Sequence, residues 1–234
     1  MPRIFVPHSA IGDGVVEITG DELRHLRTLR LAPGSEITVF DDTGTEHAVQ
    51  IVTIDRRAAH GRVLRSTTVS RESPFDLVLA PAMLKGPKMD VVVEKATELG
   101  VRRLAPVVTA RCVAGRGHVA RWRRIAVAAA KQSGRTVIPV IDEPLALADR
   151  LNETWPGLRL FAWEDATARG WESLPTTAGA AVVLLGPEGG FTMEEADTIR
   201  ASGFQAVSLG ARVLRAETAA IVVAALCQHR WGDG

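Results

Sequence analysis

No run of this 234-residue sequence is both apolar and long enough to cross a bilayer. The longest, Ala219 to Cys227, holds about half of the ~20 residues a spanning helix needs, and it reads as a buried helix instead. The opening Met1-Pro2-Arg3-Ile4-Phe5-Val6-Pro7 lacks the continuous apolar stretch of a signal peptide, and its prolines interrupt any early helix. A cytoplasmic protein with no membrane role is the expectation. Cysteine is nearly absent: Cys112 and Cys227 form neither a disulfide framework nor a metal-ligand pair, and both read as core residues in a reducing compartment. The histidines are scattered singly, with no His-x-x-x-His pair and no neighbouring carboxylate cluster, so no metal is expected. Low-complexity tracts are missing too, and with 46% hydrophobic and 24% charged residues the chain can bury a real core.

What is present is unevenly distributed. Residues 1–70 hold 8 Lys/Arg against 9 Asp/Glu, residues 85–135 hold 12 against 3, and residues 136–234 hold 7 against 13. The basic middle segment, inside a chain of net charge +1, is what a polyanion-binding face requires, although a solvated helix face has the same composition.

The first seventy residues are strand-like, with alternating apolar positions at Val15–Ile18, Glu36–Phe40, Ala48–Ile54 and Gly61–Val69, separated by glycine- and aspartate-rich turns. One short helix, Asp21–Leu31, sets Leu23, Leu26 and Leu29 against Arg24, Arg27 and Arg30. A small β-barrel is the natural solution. After Ser70-Arg71-Glu72-Ser73-Pro74 the rhythm becomes α/β. Strands are expected at Asp76–Ala80, Leu104–Val108, Val137–Val140, Leu158–Ala162, Ala181–Leu185 and Ala206–Leu209, with crossover helices that include Lys88–Leu99 and His118–Ser133. The expected domains are therefore 1–72 and 73–234.

The sharpest feature is Leu184-Leu185-Gly186-Pro187-Glu188-Gly189-Gly190-Phe191-Thr192-Met193-Glu194-Glu195. A buried strand runs into a glycine-rich turn, and Thr192 with Glu195 forms a capping box that starts a helix. In open α/β sheets, the carboxyl ends of strands are where ligands bind. The loop lacks the Lys-Ser/Thr of a phosphate loop and the Gly-x-Gly-x-x-Gly dinucleotide spacing, which disfavours ATP and NAD and makes a nicotinamide oxidoreductase remote. A second strand-to-helix junction, Val207 to Ala220, places Arg215 and Glu217 where the last helix begins. Two such loops can close on one ligand; alternatively, Glu217 complements the helix dipole and Arg215 pairs with it.

Five ordered motifs carry a resemblance: Leu-Leu-Gly-Pro-Glu-Gly-Gly-Phe, Ser-Leu-Gly-x-Arg-x-Leu-Arg-x-Glu-Thr-Ala, Lys-Gly-x-Lys-Met-Asp at 85–90, Lys95-Ala96-Thr97-Glu98-Leu99-Gly100, and Gln132-Ser133-Gly134-Arg135. Together they resemble the RsmE family, small-subunit ribosomal RNA uridine N3-methyltransferases of the SPOUT superfamily, over nearly the whole chain. The resemblance implies an α/β fold: a C-terminal SPOUT-type α/β domain with a trefoil knot, plus a small N-terminal PUA-like β-barrel, in a homodimer. The knot departs from the rule that chains are not threaded and is expected on the resemblance alone. Two departures from the family pattern are Lys131, where an acidic residue is expected, and a short stretch from Arg111 to Arg121.

By the same resemblance, S-adenosylmethionine is held by Leu185, Gly186, Pro187, Glu188, Gly189 and Gly190 from one loop, and by Leu209, Gly210, Val213, Leu214, Thr218 and Ala219 from the other. Arg215 takes an electrostatic catalytic role and Glu217 orients the base or accepts its proton. Arg3, Arg24, Arg27, Arg30, Lys85, Lys88, Arg111 and Arg135 are the expected contacts to ribosomal RNA, with the assembled small subunit as the expected substrate. The rival expectations are an enzyme of the same class acting on another ribosomal or transfer RNA position, and a non-catalytic RNA-binding assembly factor.

Overall fold

A computed structural model describes residues 1–69, 71–112, 118–164 and 169–234. The chain divides into two compact units, one of Met1–Glu72 with Ala130–Ile138, the other of Ser73–Ala129 with Pro139–Gly234.

The first unit contains β1 (Arg3–Phe5), β2 (Ile11–Gly12), β3 (Val15–Ile18), α1 (Gly20–Thr28), β4 (Glu36–Phe40), β5 (Thr45–Ile54) and β6 (Ala59–Thr68). The strands form one sheet in the order β1-β4-β5-β6-β3-β2, antiparallel except for β1 against β4. The expected barrel is thus a six-stranded sheet with β1 and β2 as its edges. Its alternate residues Ile4, Val16, Ile18, Ile37, Val39, Val49 and Ile51 join Leu23 and Leu26 of α1 in one core, the outcome of period-2 strands facing a period-3.6 helix. The helix is shorter than expected: Arg30 takes φ 54°, a left-handed conformation that stops the helix, and leaves Leu29 exposed.

The second unit holds β7 (Asp76–Pro81), α2 (Lys88–Glu98), β8 (Arg103–Leu104), β9 (Val107–Val108), β10 (Val140–Ile141), β11 (Leu145–Ala146), α4 (Leu147–Leu151), β12 (Leu158–Ala162), β13 (Arg169–Gly170), β14 (Ala180–Leu185), α5 (Met193–Ala201), β15 (Gln205–Ser208) and α6 (Ala216–Trp231). Helix α3 (Val119–Ser133) passes from the second unit to the first at Ala129/Ala130. A wholly parallel sheet runs β10-β8-β7-β14-β12-β15-β13, and β9 pairs separately with β11. Parallel strands buried on both faces read as continuous apolar runs, which is why Leu77–Ala80 and Ala181–Leu185 are buried throughout.

Two strand expectations change. Leu104–Val108 divides into β8 and β9, with the first in the large sheet and the second paired with β11. Val137–Val140 supplies only Val140 to a ladder, because Thr136 and Val137 donate their N–H groups to Glu72 Oε1 and Ile138 donates to Asp42 Oδ1. Side-chain carboxylates meet the donors that a strand would have paired. Cys227 is fully buried, and burial pushes its thiol up to about 12. Cys112 is only half-buried, which corrects its reading as a core residue: it touches Thr109 at its own turn.

Candidate active site

Strand β12 lies between β14 and β15, so three neighbouring parallel strands end at the same sheet edge. The segments that follow them, Ala162–Glu164, Gly186–Phe191 and Leu209–Ala216, together with Lys88, line a cleft of about 440 Å³. That volume lies in the range of sites for small molecules.

The glycine loop is shaped by local sequence. The Thr192 hydroxyl accepts from Glu195 N and Glu195 Oε2 accepts from Thr192 N, which is the expected capping box. Glu195 Oε1 also accepts from Ala110 N at 2.7 Å. Gly190 adopts φ +67°, and a Cβ on Gly186 would stand 3.3 Å from both Gly190 Cα and Phe191 N, so the loop folds back on itself at a spacing only glycine fits comfortably. Arg111 then holds it from outside, donating from Nη1 to Gly189 O at 2.7 Å and to Phe191 O at 3.3 Å.

Of the residues expected at the cofactor, Leu185, Gly186, Pro187, Glu188, Gly189, Gly190, Leu209, Gly210, Val213, Leu214 and Ala219 line the cleft, whereas Thr218 is exposed and does not. Arg215 also lines it, as the N-cap of α6, without an ion pair among the described residues. Glu217 sits in the first turn of α6 with a side chain 16% exposed, and its Oε2 is buried without a hydrogen-bond partner, 3.9 Å from Lys88 Nζ. The alternative of an Arg215–Glu217 pair is not what is observed; Lys88 is the cation beside Glu217.

Lys88 also donates to Glu188 Oε1 at 2.8 Å, and Lys85 N approaches the same oxygen at 3.3 Å. Burial alone would raise the Glu188 carboxyl, but the Lys88 ammonium and the backbone donors outweigh it and hold it below the usual glutamate value. One ammonium therefore faces two carboxylates, one from the glycine loop and one from the first turn of α6.

Sequence reasoning missed Trp163 and Glu164. Trp163 lines the cleft with its Nε1 buried and unpartnered, and the only signal was their place just beyond the carboxyl end of β12. These features suit an adenosyl sulfonium: concave apolar walls, main chain open for close approach at Gly190, an orphaned indole donor, and carboxylates at Glu164 and Glu188 to face positive charge.

The expected RNA contacts separate into two groups. Arg24, Arg27 and Arg30 are exposed on or just after α1, although Arg24 pairs with Asp21 and Arg27 donates to Asp55 O. Lys85 is exposed beside the cleft. Arg3 and Arg135 are both engaged inside the first unit. Arg3 pairs with Glu46, donates to Gly134 O and Arg135 O, and lies 5.0 Å from the Phe40 ring centroid. Arg135 is 3% exposed and donates to Glu72 at 2.6 Å. The basic middle segment behaves likewise: Lys95 pairs with Glu94 and Glu98, Arg103 with Asp142 and Glu153, and Arg121 with Asp90. Lys131, the departure from the family pattern, bonds Glu22 at 2.8 Å. The other departure includes residues 113–117, which lie outside the described residues. Among the described residues no helix is long and apolar enough to cross a membrane, and no group of three His, Cys, Asp or Glu is placed to hold a metal.

A parallel α/β sheet whose glycine loop, α6 junction and β12 end share one cleft is built to hold a small molecule, and an RNA methyltransferase domain model that matches residues 71–228 gives its class. An RNA methyltransferase PUA domain model matches residues 18–64. The chain belongs to the family of ribosomal RNA small subunit methyltransferase E. It is 31% identical to the family member of Synechocystis over 95% of this chain and 76% of the relative, and 32% identical to that of Mycobacterium bovis over 89% and 84%. The crystal structure of the Neisseria gonorrhoeae member, bound to S-adenosyl methionine, superposes with a TM-score of 0.92 at 33% identity, covering 100% of this chain and 99% of that one. A Legionella pneumophila protein in complex with bound SAM gives 0.93 at 31%, covering 100% and 99%.

Proposed function

We propose that this protein transfers the methyl group of S-adenosylmethionine to N3 of a uridine in 16S ribosomal RNA. The observation that carries the reading is the cleft itself, lined by the glycine loop and by Arg215 in a chain of this family, with a buried, unpartnered carboxylate oxygen of Glu217 just behind its wall, 3.9 Å from the cleft-lining Lys88.

The loop Leu185–Gly190 and the segment Leu209–Ala219 hold the cofactor. Bound there, it supplies a methyl carbon made electrophilic by its sulfonium sulfur, which leaves as a neutral thioether. Uridine N3 carries a proton and is a poor nucleophile until that proton leaves. Glu217 accepts it. Arg215, exposed at the cleft and free of an ion pair among the described residues, offsets negative charge as it spreads onto the uracil oxygens. Holding both reactants in one cleft supplies much of the remaining rate.

The finer architecture belongs to the same proposal: a trefoil knot in the domain 73–234, a PUA-like RNA-binding domain at 1–72, a homodimer, and action in the cytoplasm on the assembled small subunit. Helix α6 supports the dimer, since Ile221, Val222, Ala225 and Leu226 add apolar surface to a helix already buried along its other face. Arg24, Arg27, Arg30 and Lys85 are the proposed RNA contacts, with Arg3 and Arg135 structural.

The test is transfer of labelled methyl to small subunits that lack the endogenous modification, followed by nucleoside analysis. Label in 3-methyluridine is expected. Label in another nucleoside would transfer the reading to a different position, and cofactor uptake without transfer to any RNA would favour an assembly factor.

A further inference from the structure

Lys88 was expected to touch RNA phosphate, yet it lines the cleft, with only one of its contacts at hydrogen-bonding distance. Its Nζ donates to Glu188 at 2.8 Å and stands 3.9 Å from Glu217 Oε2, too far for a hydrogen bond; Lys88 lines the cleft, and Glu217 lies next to it between the cleft-lining Ala216 and Ala219. An ammonium carries three donors, so Lys88 retains donors beyond the Glu188 contact. Glu217 Oε2 is an acceptor that is buried and empty. A buried polar atom without a partner is unfavourable unless a ligand completes it.

The Watson–Crick edge of uracil presents a carbonyl oxygen, the N3–H donor and a second carbonyl oxygen in a row. An acceptor flanked by donors is its complement. Glu217 Oε2 would supply the acceptor once the base reaches past the cleft wall, with Lys88 Nζ 3.9 Å from it as one donor and Arg215, which lines the cleft with Lys88, as the other. Cytosine presents an unprotonated N3 and an amino group on that edge, so it would place acceptor against acceptor at Glu217 and donor against donor at a flank.

We propose that Lys88 is a catalytic and specificity-determining residue that pairs with Glu217 to read the imide edge of uracil, donating to a carbonyl oxygen while Glu217 accepts the N3 proton. The inference rests on the uridine N3 reading and adds a residue to it. In the step, the N3–H bond breaks, an O–H bond forms on Glu217, and the electron pair stays on the base as an imide anion delocalised onto both carbonyl oxygens. Lys88 and Arg215 face that charge. The other ionisable groups around the pair are Glu188, Glu164 and Arg212 on the cleft wall. On α2, which packs against α6, Asp90 pairs with Arg121, and Glu94 and Glu98 pair with Lys95.

The experiment measures single-turnover methyl transfer by wild type, Lys88→Met and Lys88→Arg, with small subunits reconstituted from RNA containing uridine or 5-fluorouridine. Fluorine makes the imide more acidic and so reduces the need for a cation. Lys88→Met is expected to lose about 10²-fold in rate on uridine RNA, the scale of removing one donor to a developing oxyanion. Lys88→Arg should recover part of that loss. On 5-fluorouridine RNA the deficit of Lys88→Met should shrink by about tenfold, and on uridine RNA its pH–rate profile should rise at higher pH than wild type. Because Lys88 lines the cofactor cleft, all rates are compared at saturating S-adenosylmethionine, so that a change in cofactor affinity does not enter them. A deficit of the same size on both RNAs, or a Lys88→Met rate equal to wild type, would overturn the proposal. If wild type itself makes no 3-methyluridine, the underlying uridine reading fails and takes this one with it.

Discussion

Glu217 Oε2, buried in the first turn of the last helix, stands 3.9 Å from the Lys88 ammonium and accepts no hydrogen bond among the described residues. A carboxylate left in this state is set to receive a donor from a ligand. Glu217→Gln keeps the shape and removes the base. Methyl transfer should fall by about 10²- to 10⁴-fold, the usual contribution of a positioned base, with cofactor binding by calorimetry little changed. Full activity in this variant would remove Glu217 from the chemistry.

Arg111 acts on the cofactor loop from outside, through Gly189 O at 2.7 Å and Phe191 O at 3.3 Å. Its loss frees the loop without touching the cleft wall. Arg111→Ala should weaken S-adenosylmethionine binding by about tenfold, equivalent to one hydrogen bond to a charged group at an exposed site. The same calorimetric titration decides it, and an unchanged affinity would mean that the loop holds its shape unaided.

Arg135 and Arg24 should respond in opposite ways. Arg135 is 3% exposed and paired with Glu72, so Arg135→Ala leaves that carboxylate uncompensated and should destabilise the fold by about 3 kcal/mol. Thermal melting reads that loss. Arg24 is exposed on α1, and Arg24→Ala should leave the melting temperature nearly unchanged while lowering the slope of log affinity for RNA against log salt by about one unit. A reduced slope for Arg135→Ala in a folded protein would return that residue to the RNA-contact group.

Asp41 links acidity to the stability of the first unit. Burial raises its carboxyl, but hydrogen bonds from Thr43 and His8 and the nearby His47 outweigh that and hold it below the ordinary aspartate value. A carboxylate lowered on folding contributes stability above its unfolded value and loses it as pH falls through the folded one. Wild type should therefore lose stability on acidification below about pH 4, and Asp41→Asn should show a flatter acid limb in denaturant melts at successive pH values. An identical acid limb would assign the acid sensitivity to other carboxylates.

The glycine loop and the helix after it were legible because their determinants are local. Thr192 and Glu195 are three residues apart, and their reciprocal bonds need nothing beyond one helical turn. The main strands of the parallel sheet were legible for a similar reason, since continuous apolar runs mark strands buried on both faces. Val137 and Ile138 misled because their N–H groups meet Glu72 and Asp42, partners far along the chain that no periodicity reveals. Part of the positive charge at 85–135 is neutralised internally for the same reason: Arg103, Arg121, Lys131 and Arg135 each find a carboxylate that only folding brings near, while Lys85, Arg123 and Arg124 stay exposed.

The amino-acid sequence by itself determined the kinds of element, the two loops that line the cleft and the family motifs, because hydrophobic period, capping and turn chemistry act over a few residues. Tertiary structure alone decided that β12 enters between β14 and β15, bringing Trp163 and Glu164 to the cleft, and that Lys88 faces Glu188 and Glu217 rather than solvent. Strand order and ion pairing depend on which distant surfaces bury together, and that is a property of the whole packed unit rather than of any short stretch within it.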